Sequence, residues 1–268
     1  MRHTILLLAL LTATARAADP FTMNDAVHAT FKAFNEASTA TAFVVRTKPA
    51  ADGQPARYLL ASAAHTFERM KGDTCKLILR APKPDGTFSR NEISFEVRKD
   101  GKILWTKHKD ADIAVLEYTP PAGYENNAIP LENIATDDDL KTRVPAGTYI
   151  RLLCYPAQFE SNGAGFPVLR HGVIASFPIA PAALQKTFLI DFTTFAGDSG
   201  GPVFATLDAG AGAPGKLTLV GVVISQQWSD EKIKVSDRED KIIRHPFGLG
   251  TAVNSHLLRE LISTAEKK

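Results

Sequence analysis

The segment FAGDSGGPVF, residues 195–204, wraps three glycines around an Asp-Ser pair and then runs into an apolar stretch. Glycine admits tight turns and close backbone approach that a side chain would block. Ser199 is therefore a candidate nucleophile on a sharp turn, and an ordinary turn serine is the alternative. The run that follows, GPVFATL, has the apolar content of a buried strand.

Further strand-like runs lie on both sides of it. TYIRLLCYP, GVIASF, TFLIDF and KLTLVGVVIS form a series with GPVFATL in the second half. The first half carries TAFVVRT, RYLLASAA, CKLILRA, ISFEVRK, ILWTK and DIAVLEY. KPAADGQPA, APKPDGT and KDGK between them have turn chemistry. Short strands at this spacing predict a β-barrel or sandwich rather than alternating βα units. TPPAGYENNAIP, residues 119–130, is the expected linker between two β-rich halves. Ahead of the strands, NDAVHATFKAFNEAS predicts a helix capped by Asn24, with Val27, Phe31 and Phe34 on one face. After them, Asn254 or Ser255 is expected to cap a closing helix with Leu257, Leu258, Leu261 and Ile262 as its apolar stripe.

The chain has 268 residues, 44% hydrophobic and 22% charged, enough for a sizeable core. MRHTILLLALLTATARA has a basic start, an apolar run and a small-residue cleavage site. It is expected to be an export signal over residues 1–17, too short to span a bilayer, which places the mature protein in the periplasm or outside the cell. Loss of Arg2 and Arg16 takes the formal net charge of +2 to zero. With no long block of one sign, neither nucleic acid nor an anionic membrane surface is an expected partner. Cys75 and Cys154 lack metal-site spacing, no His pair has helical spacing, and no metal or cofactor is expected. Their pairing is open, because sequence does not fix disulfide geometry. The oligomeric state is also open.

A serine hydroxyl needs a base, usually a histidine held by a carboxylate. LLASAAHTFE places His65 after an apolar run, and DADIAVLEY places Asp112 at the start of one. Asp110 is the rival carboxylate. Taken singly, each of these residues also fits a structural role. His171 in LRHGVIAS is expected to be structural, His108 in KHKD a solvated turn residue, and His28 a member of the leading helix. Trp105 and Trp228 suit either the core or a pocket rim.

The three segments together resemble the chymotrypsin-like (trypsin-fold) serine proteases, with GDSGGP as the nucleophile motif, ASAAHTF as the histidine segment and DIAVL as the aspartate segment. PLENIATDDDLKTRVPAGTYIRLLCYP, LVGVVIS and FGLGTAVNSHLLRELI extend the resemblance over residues 40–265. Where bacterial members commonly have Gly-Tyr-Pro, this chain has Cys154-Tyr155-Pro156. The resemblance implies an all-β fold of two six-stranded antiparallel β-barrels with an N-terminal and a C-terminal helix. Expected boundaries are 18–37 for the helical extension, 38–130 for the first barrel and 131–268 for the second with the closing helix.

The resemblance also implies an endopeptidase acting on peptide or protein substrates. Ser199 is then the nucleophile, His65 the general base and Asp112 its orienting carboxylate, with the Gly197 and Ser199 N–H groups as the oxyanion hole. Thr193 falls at the base of the primary pocket, and Gln226 and Gly248 at its walls. Thr193 brings no carboxylate and Gln226 narrows the entrance, so uncharged, small to medium side chains are expected there. A trypsin-fold binding or scaffold protein without catalysis is the alternative. No Ile-Val-Gly-Gly start exists to pair with Asp198, so a basic side chain or local N–H donors are expected instead. SDEKIKVSDREDKIIRHPF, residues 229–247, is expected to be a solvated, mobile excursion near the pocket mouth.

Overall fold

The computed structural model describes residues 20–49, 53–124, 127–208, 215–236 and 239–265. The expected export signal lies outside them.

The first half runs through α1 (Met23–His28), β1 (Thr30–Phe34), β2 (Thr39–Arg46), β3 (Tyr58–Ser62) and α2 (Ala64–Arg69). It continues through β4 (Thr74–Pro82), β5 (Phe88–Glu96), β6 (Arg98–Lys99), β7 (Lys102–Ile103), β8 (Thr106–Lys107), β9 (Ala114–Glu117) and β10 (Ile129–Pro130). The second half comprises α3 (Asp137–Arg143), β11 (Tyr149–Cys154), β12 (Val168–Ile174), β13 (Thr187–Asp191), β14 (Pro202–Leu207), β15 (Lys216–Ser236), β16 (Glu239–Asn254) and α4 (Ser255–Ala265). No helix among the described residues is long and apolar enough to cross a membrane.

Strands β11-β12-β13-β16-β15-β14 close into a six-stranded barrel, one of the two that were expected. The first half is instead an eight-stranded sheet, ordered β5-β4-β1-β2-β3-β9-β8, with β10 parallel to β2. Its ends explain why the path stays open. β8 is only two residues long, and β5 alternates half-buried with exposed positions, as an edge strand does. The two-stranded β6-β7 ribbon lies off this sheet.

The leading helix is shorter than its apolar spacing implied. Thr22, not Asn24, caps α1 through a reciprocal capping box with Asp25, and α1 ends at His28. Phe31 and Phe34 belong to β1, which pairs antiparallel with β2 from Thr30↔Phe43 to Phe34↔Thr39. Asn35–Ser38 makes the hairpin turn: the Asn35 N–H donates to Ser38 O at 2.9 Å, and Ala37 N–H donates to Asn35 Oδ1 at 2.9 Å. Sheet pairing overrides the helical period here, since a five-residue segment gains little from propensity alone.

Arg80, 2% exposed, joins α1 to the rest. Its guanidinium donates to His28 O at 2.8 Å and Thr30 O at 3.0 Å, and lies over the Phe31 and Phe166 rings. A cation at a helix C-terminus is favourably placed. One hydrophobic cluster contains Ala26 and Phe43 of the first half with Phe204, Val253 and the α4 residues Leu257, Leu258, Leu261 and Ile262. The two halves thus share a core. The α4 stripe is the one expected, and Asn254 Oδ1 accepts from His256 N–H at 3.0 Å.

The described residues of the charged segment, 229–236 and 239–247, form a β-ribbon rather than an irregular loop. β15 and β16 stay paired beyond the barrel, through Trp228↔Pro246 and Asp230↔Arg244 to Ile233↔Lys241. Asp230 and Arg244 face each other across it as an ion pair at 2.9 Å, and Glu231 lies 2.8 Å from the His245 ring. This pairing lets a charge-rich sequence adopt strand structure.

Candidate active site

Strand pairing brings two of the expected residues together. The end of β3 pairs with the start of β9, Ser62 opposite Ala114. His65 lies three residues beyond Ser62 and Asp112 two before Ala114, so antiparallel pairing delivers both to one sheet end. Ala61, Ser62, Ala63 and Ala64 are fully buried, and their small side chains let the chain turn into α2 there. Asp112 then holds His65 at two points: Oδ2 meets the ring Nδ1 at 2.5 Å and Oδ1 accepts the His65 main-chain N–H at 2.8 Å. Burial pushes the Asp112 carboxyl up, but the hydrogen bonds from the His65 ring and main chain, with the charges of His65 and Lys107, hold it below the usual carboxylate range. The rival Asp110 faces Lys109 at 3.9 Å instead.

His108 is not a solvated turn residue. It is 6% exposed, its Nδ1 accepts the Asp110 N–H at 3.1 Å, and its Nε2 lies 3.3 Å from Glu260 on α4. Its flanking lysines hide this in the sequence, because burial is set by α4, more than a hundred residues away.

The Ser199 turn packs against the same region. Gly200 has φ +87°, and a Cβ there would collide with Thr41 O and Ser62 Oγ. Gly197 has φ +99°, and a Cβ there would collide with Tyr155 O. Both glycines are thus demanded by backbone conformation and close approach together. The Ser199 carbonyl accepts the Thr41 N–H at 2.9 Å, and Gly200 N–H donates to Val223 O at 2.7 Å. The Gly197 and Ser199 N–H groups have no acceptor among the described residues. The Ser199 hydroxyl donates to Ile224 O at 3.3 Å and makes no hydrogen bond with His65.

Behind this turn stands another, Tyr155–Gln158. Ala157 and Gln158 adopt φ +48° and +70° without being glycine. Such conformations cost roughly 1–3 kcal/mol each and persist only where surrounding contacts enforce them. Here the Ala157 N–H donates to Ala196 O at 2.7 Å.

Asp198 is fully buried. Arg170 Nη1 lies 3.1 Å from its Oδ2, which also accepts the Phe195 N–H at 2.8 Å. Burial raises the Asp198 carboxyl above its ordinary range, against the opposing pull of the Phe195 N–H, Cys154 and Arg170. Arg170 also donates to Thr193 O at 2.7 Å and stacks on Phe192, 3.9 Å from the ring centre. No sequence motif marks Arg170, unlike its titratable neighbour His171. The available signal was a cation amid the apolar residues of a strand. His171 itself is exposed on β12, opposite Arg151.

Thr193 and Gly248 meet in an open depression of about 520 Å³ that Arg170 and His171 also line. Neither Gln226, which pairs with Gly250, nor Ser199 is part of that lining. Trp105 is 7% exposed and stacks on Phe67 in the first-half core. Trp228, 45% exposed, sits on the ribbon beneath Arg244. His28 packs against Phe88 and Phe166. Cys75 and Cys154 are both buried free thiols, and burial pushes the Cys75 thiol up to about 12.

No family model matches the chain, and no curated protein does. Among solved structures it is similar to the inactive form of a serine-to-alanine mutant of Rv3671c from M. tuberculosis H37Rv. The identity is 14% and the TM-score 0.48, over 92% of this chain and 90% of that one.

Proposed function

We propose that this chain is an exported serine endopeptidase working through Ser199, His65 and Asp112. The observation that carries the reading is the two-point hold of Asp112 on His65, beside a glycine-flanked serine turn whose N–H groups at 197 and 199 have no acceptor among the described residues. Asp112 fixes the imidazole with its proton on Nδ1, leaving Nε2 as the base. The Ser199 hydroxyl turns from Ile224 O to Nε2, gives up its proton and attacks the scissile carbonyl. The Gly197 and Ser199 N–H groups stabilise the negative oxygen that forms. His65 then passes the proton to the leaving amine, and water releases the acyl group by the reverse sequence.

A latent or scaffold protein is the second reading. It is favoured by the Ser199–Ile224 hydrogen bond and the absence of a Ser199–His65 bond. Catalytic hydrogen bonds often tighten only once substrate is bound, which keeps this reading second. Intact mass after treatment with a fluorophosphonate separates the two. One adduct per chain is expected on the wild type and none on Ser199→Ala. A folded wild type that stays unlabelled would overturn the enzyme reading.

The proposed pocket residues remain Thr193, Gln226 and Gly248. The Asp198 carboxylate behind the pocket base is already engaged by Arg170, which also donates to Thr193 O, so that carboxylate is not free for a cationic substrate side chain. In a peptide library, cleavage is expected after uncharged small to medium residues; efficient cleavage after Arg would refute this assignment.

A further inference from the structure

Thr41 is the polar exception at the centre of β2. Ala40, Ala42, Phe43, Val44 and Val45 around it are fully buried, and so is Thr41. A valine has nearly the same shape, so packing alone does not call for a hydroxyl. The hydroxyl instead reaches into the other half of the molecule. Oγ1 donates to Gly197 O at 2.8 Å and accepts the Tyr155 N–H at 3.2 Å. The Thr41 main chain holds the same region from both of its polar groups. Its N–H donates to Ser199 O at 2.9 Å, and its carbonyl accepts the Ser62 hydroxyl at 2.8 Å. Ser62 Oγ in turn lies 3.1 Å from Thr66 Oγ1, on the helix that carries His65.

The consequence lies in the peptide planes. In a trans peptide the N–H points opposite to the C=O, so whatever binds the carbonyl aims the N–H. Ala196 O is taken by Ala157 N–H at 2.7 Å, which turns the Gly197 N–H away from the Tyr155–Gln158 turn. Asp198 O is taken by Gly201 N–H at 2.9 Å, which turns out the Ser199 N–H. Between these planes lies the Gly197–Asp198 peptide, whose carbonyl is held by the Thr41 hydroxyl. Glycine moves readily between conformations of either φ sign, so Gly197 by itself does not keep these planes in place.

We infer that the Thr41 hydroxyl is a positioning group for the oxyanion turn, locking the Gly197–Asp198 peptide so that the N–H groups of residues 197 and 199 face one point. The inference rests on the hydrolase reading for its catalytic meaning and on the hydrogen bonds alone for its structural meaning. A developing oxyanion exists only in the transition state, so losing this lock lowers kcat and leaves KM nearly unchanged.

The test compares Thr41→Val, which keeps the shape and removes the hydroxyl, with Thr41→Ser, which keeps the hydroxyl. Misplacing a reacting geometry by about an ångström costs roughly 100-fold, and losing one oxyanion donor costs at least about as much. Fluorophosphonate labelling of Thr41→Val is therefore expected to slow by about 10- to 100-fold, and that of Thr41→Ser by less than about threefold. Amide hydrogen exchange over residues 195–201 is read in parallel, with faster exchange expected in Thr41→Val and unchanged exchange in the rest of the barrel. Equal labelling and equal exchange in all three proteins would overturn the inference. If the wild type fails to label, the hydrolase reading falls, and the exchange comparison still decides whether Thr41 locks the turn. Should Thr41→Val not fold, Thr41→Ala removes the same hydroxyl without the second methyl and is expected to give the same loss.

Discussion

Asp112→Asn is expected to slow acylation of Ser199 by roughly 10⁴-fold while leaving the fold intact. The reason lies in the two bonds that Asp112 makes with one residue. A carboxylate accepts at both oxygens, from the His65 main-chain N–H at 2.8 Å and from the ring at 2.5 Å. An amide has one accepting oxygen and one donating NH₂. With the oxygen on the main-chain N–H, the NH₂ meets Nδ1 and forces the ring proton onto Nε2, where it can no longer take the serine proton. The Asp112 side chain is 30% exposed, so the replacement leaves no uncompensated buried charge. Steady-state kinetics and thermal unfolding check this together: kcat should collapse while Tm moves by only a few degrees. A loss of less than about tenfold would mean that Asp112 does not set the tautomer of the base.

Arg170→Ala is expected to produce the largest loss of stability. It strips the cation from a carboxylate that has no exposure to water, and removing one partner of a buried ion pair costs about 3 kcal/mol or more. The stack on Phe192 goes with it. The effect should depend on pH with a definite sign. Burial already raises the Asp198 pKa, so its contribution to stability is fully present below the ordinary carboxylate range and is lost as pH rises through the raised pKa. Without Arg170 that pKa climbs further and the loss at neutral pH grows. The gap between wild type and variant should therefore be widest at about pH 7 and shrink towards about pH 4.5, measured by urea unfolding at both. Asp112, Asp139 and Glu160 behave oppositely. Their pKa values are lowered, so their contributions are present above the ordinary range and are lost as pH falls. They act in both proteins and cancel in the difference. A gap that stays constant with pH would mean that Arg170 stabilises by packing alone. Because Asp198 O and the Phe195 N–H belong to the nucleophile turn, labelling of Ser199 should slow as well.

Local chemistry made much of this molecule legible in the sequence. The apolar stripe Leu257, Leu258, Leu261 and Ile262 has the period of a helix, and it is buried on one. The five strand runs of the second half are strands of the closed barrel, because alternation and turn residues act over a few positions. The glycines at 197 and 200 announce tight backbone approach, and both positions have positive φ with no room for a Cβ. His65 and Asp112 were candidates from their flanking residues, and only the three segments taken together, through their resemblance to a family, singled them out.

What the sequence did not carry is what depends on distant partners. Phe31 and Phe34 have a helical spacing, yet β2 captures them into a sheet. His108 between two lysines reads as exposed, yet Glu260 on α4 closes over it. The acidic and basic residues of 229–247 look like loop chemistry until opposite charges face each other on two strands. Arg170 and Thr41 carry no motif at all, and their meaning exists only once β12 lies beside Asp198 and β2 beside Gly197. The sequence by itself determined the strand runs of the second half, the closing helix and the residue types that could carry chemistry, since turn preference, apolar period and side-chain reactivity are local properties. Only the tertiary structure decided that one sheet stays open, that Arg170 answers the buried Asp198, and that Thr41 holds the turn, since these follow from contacts between segments up to about 150 residues apart.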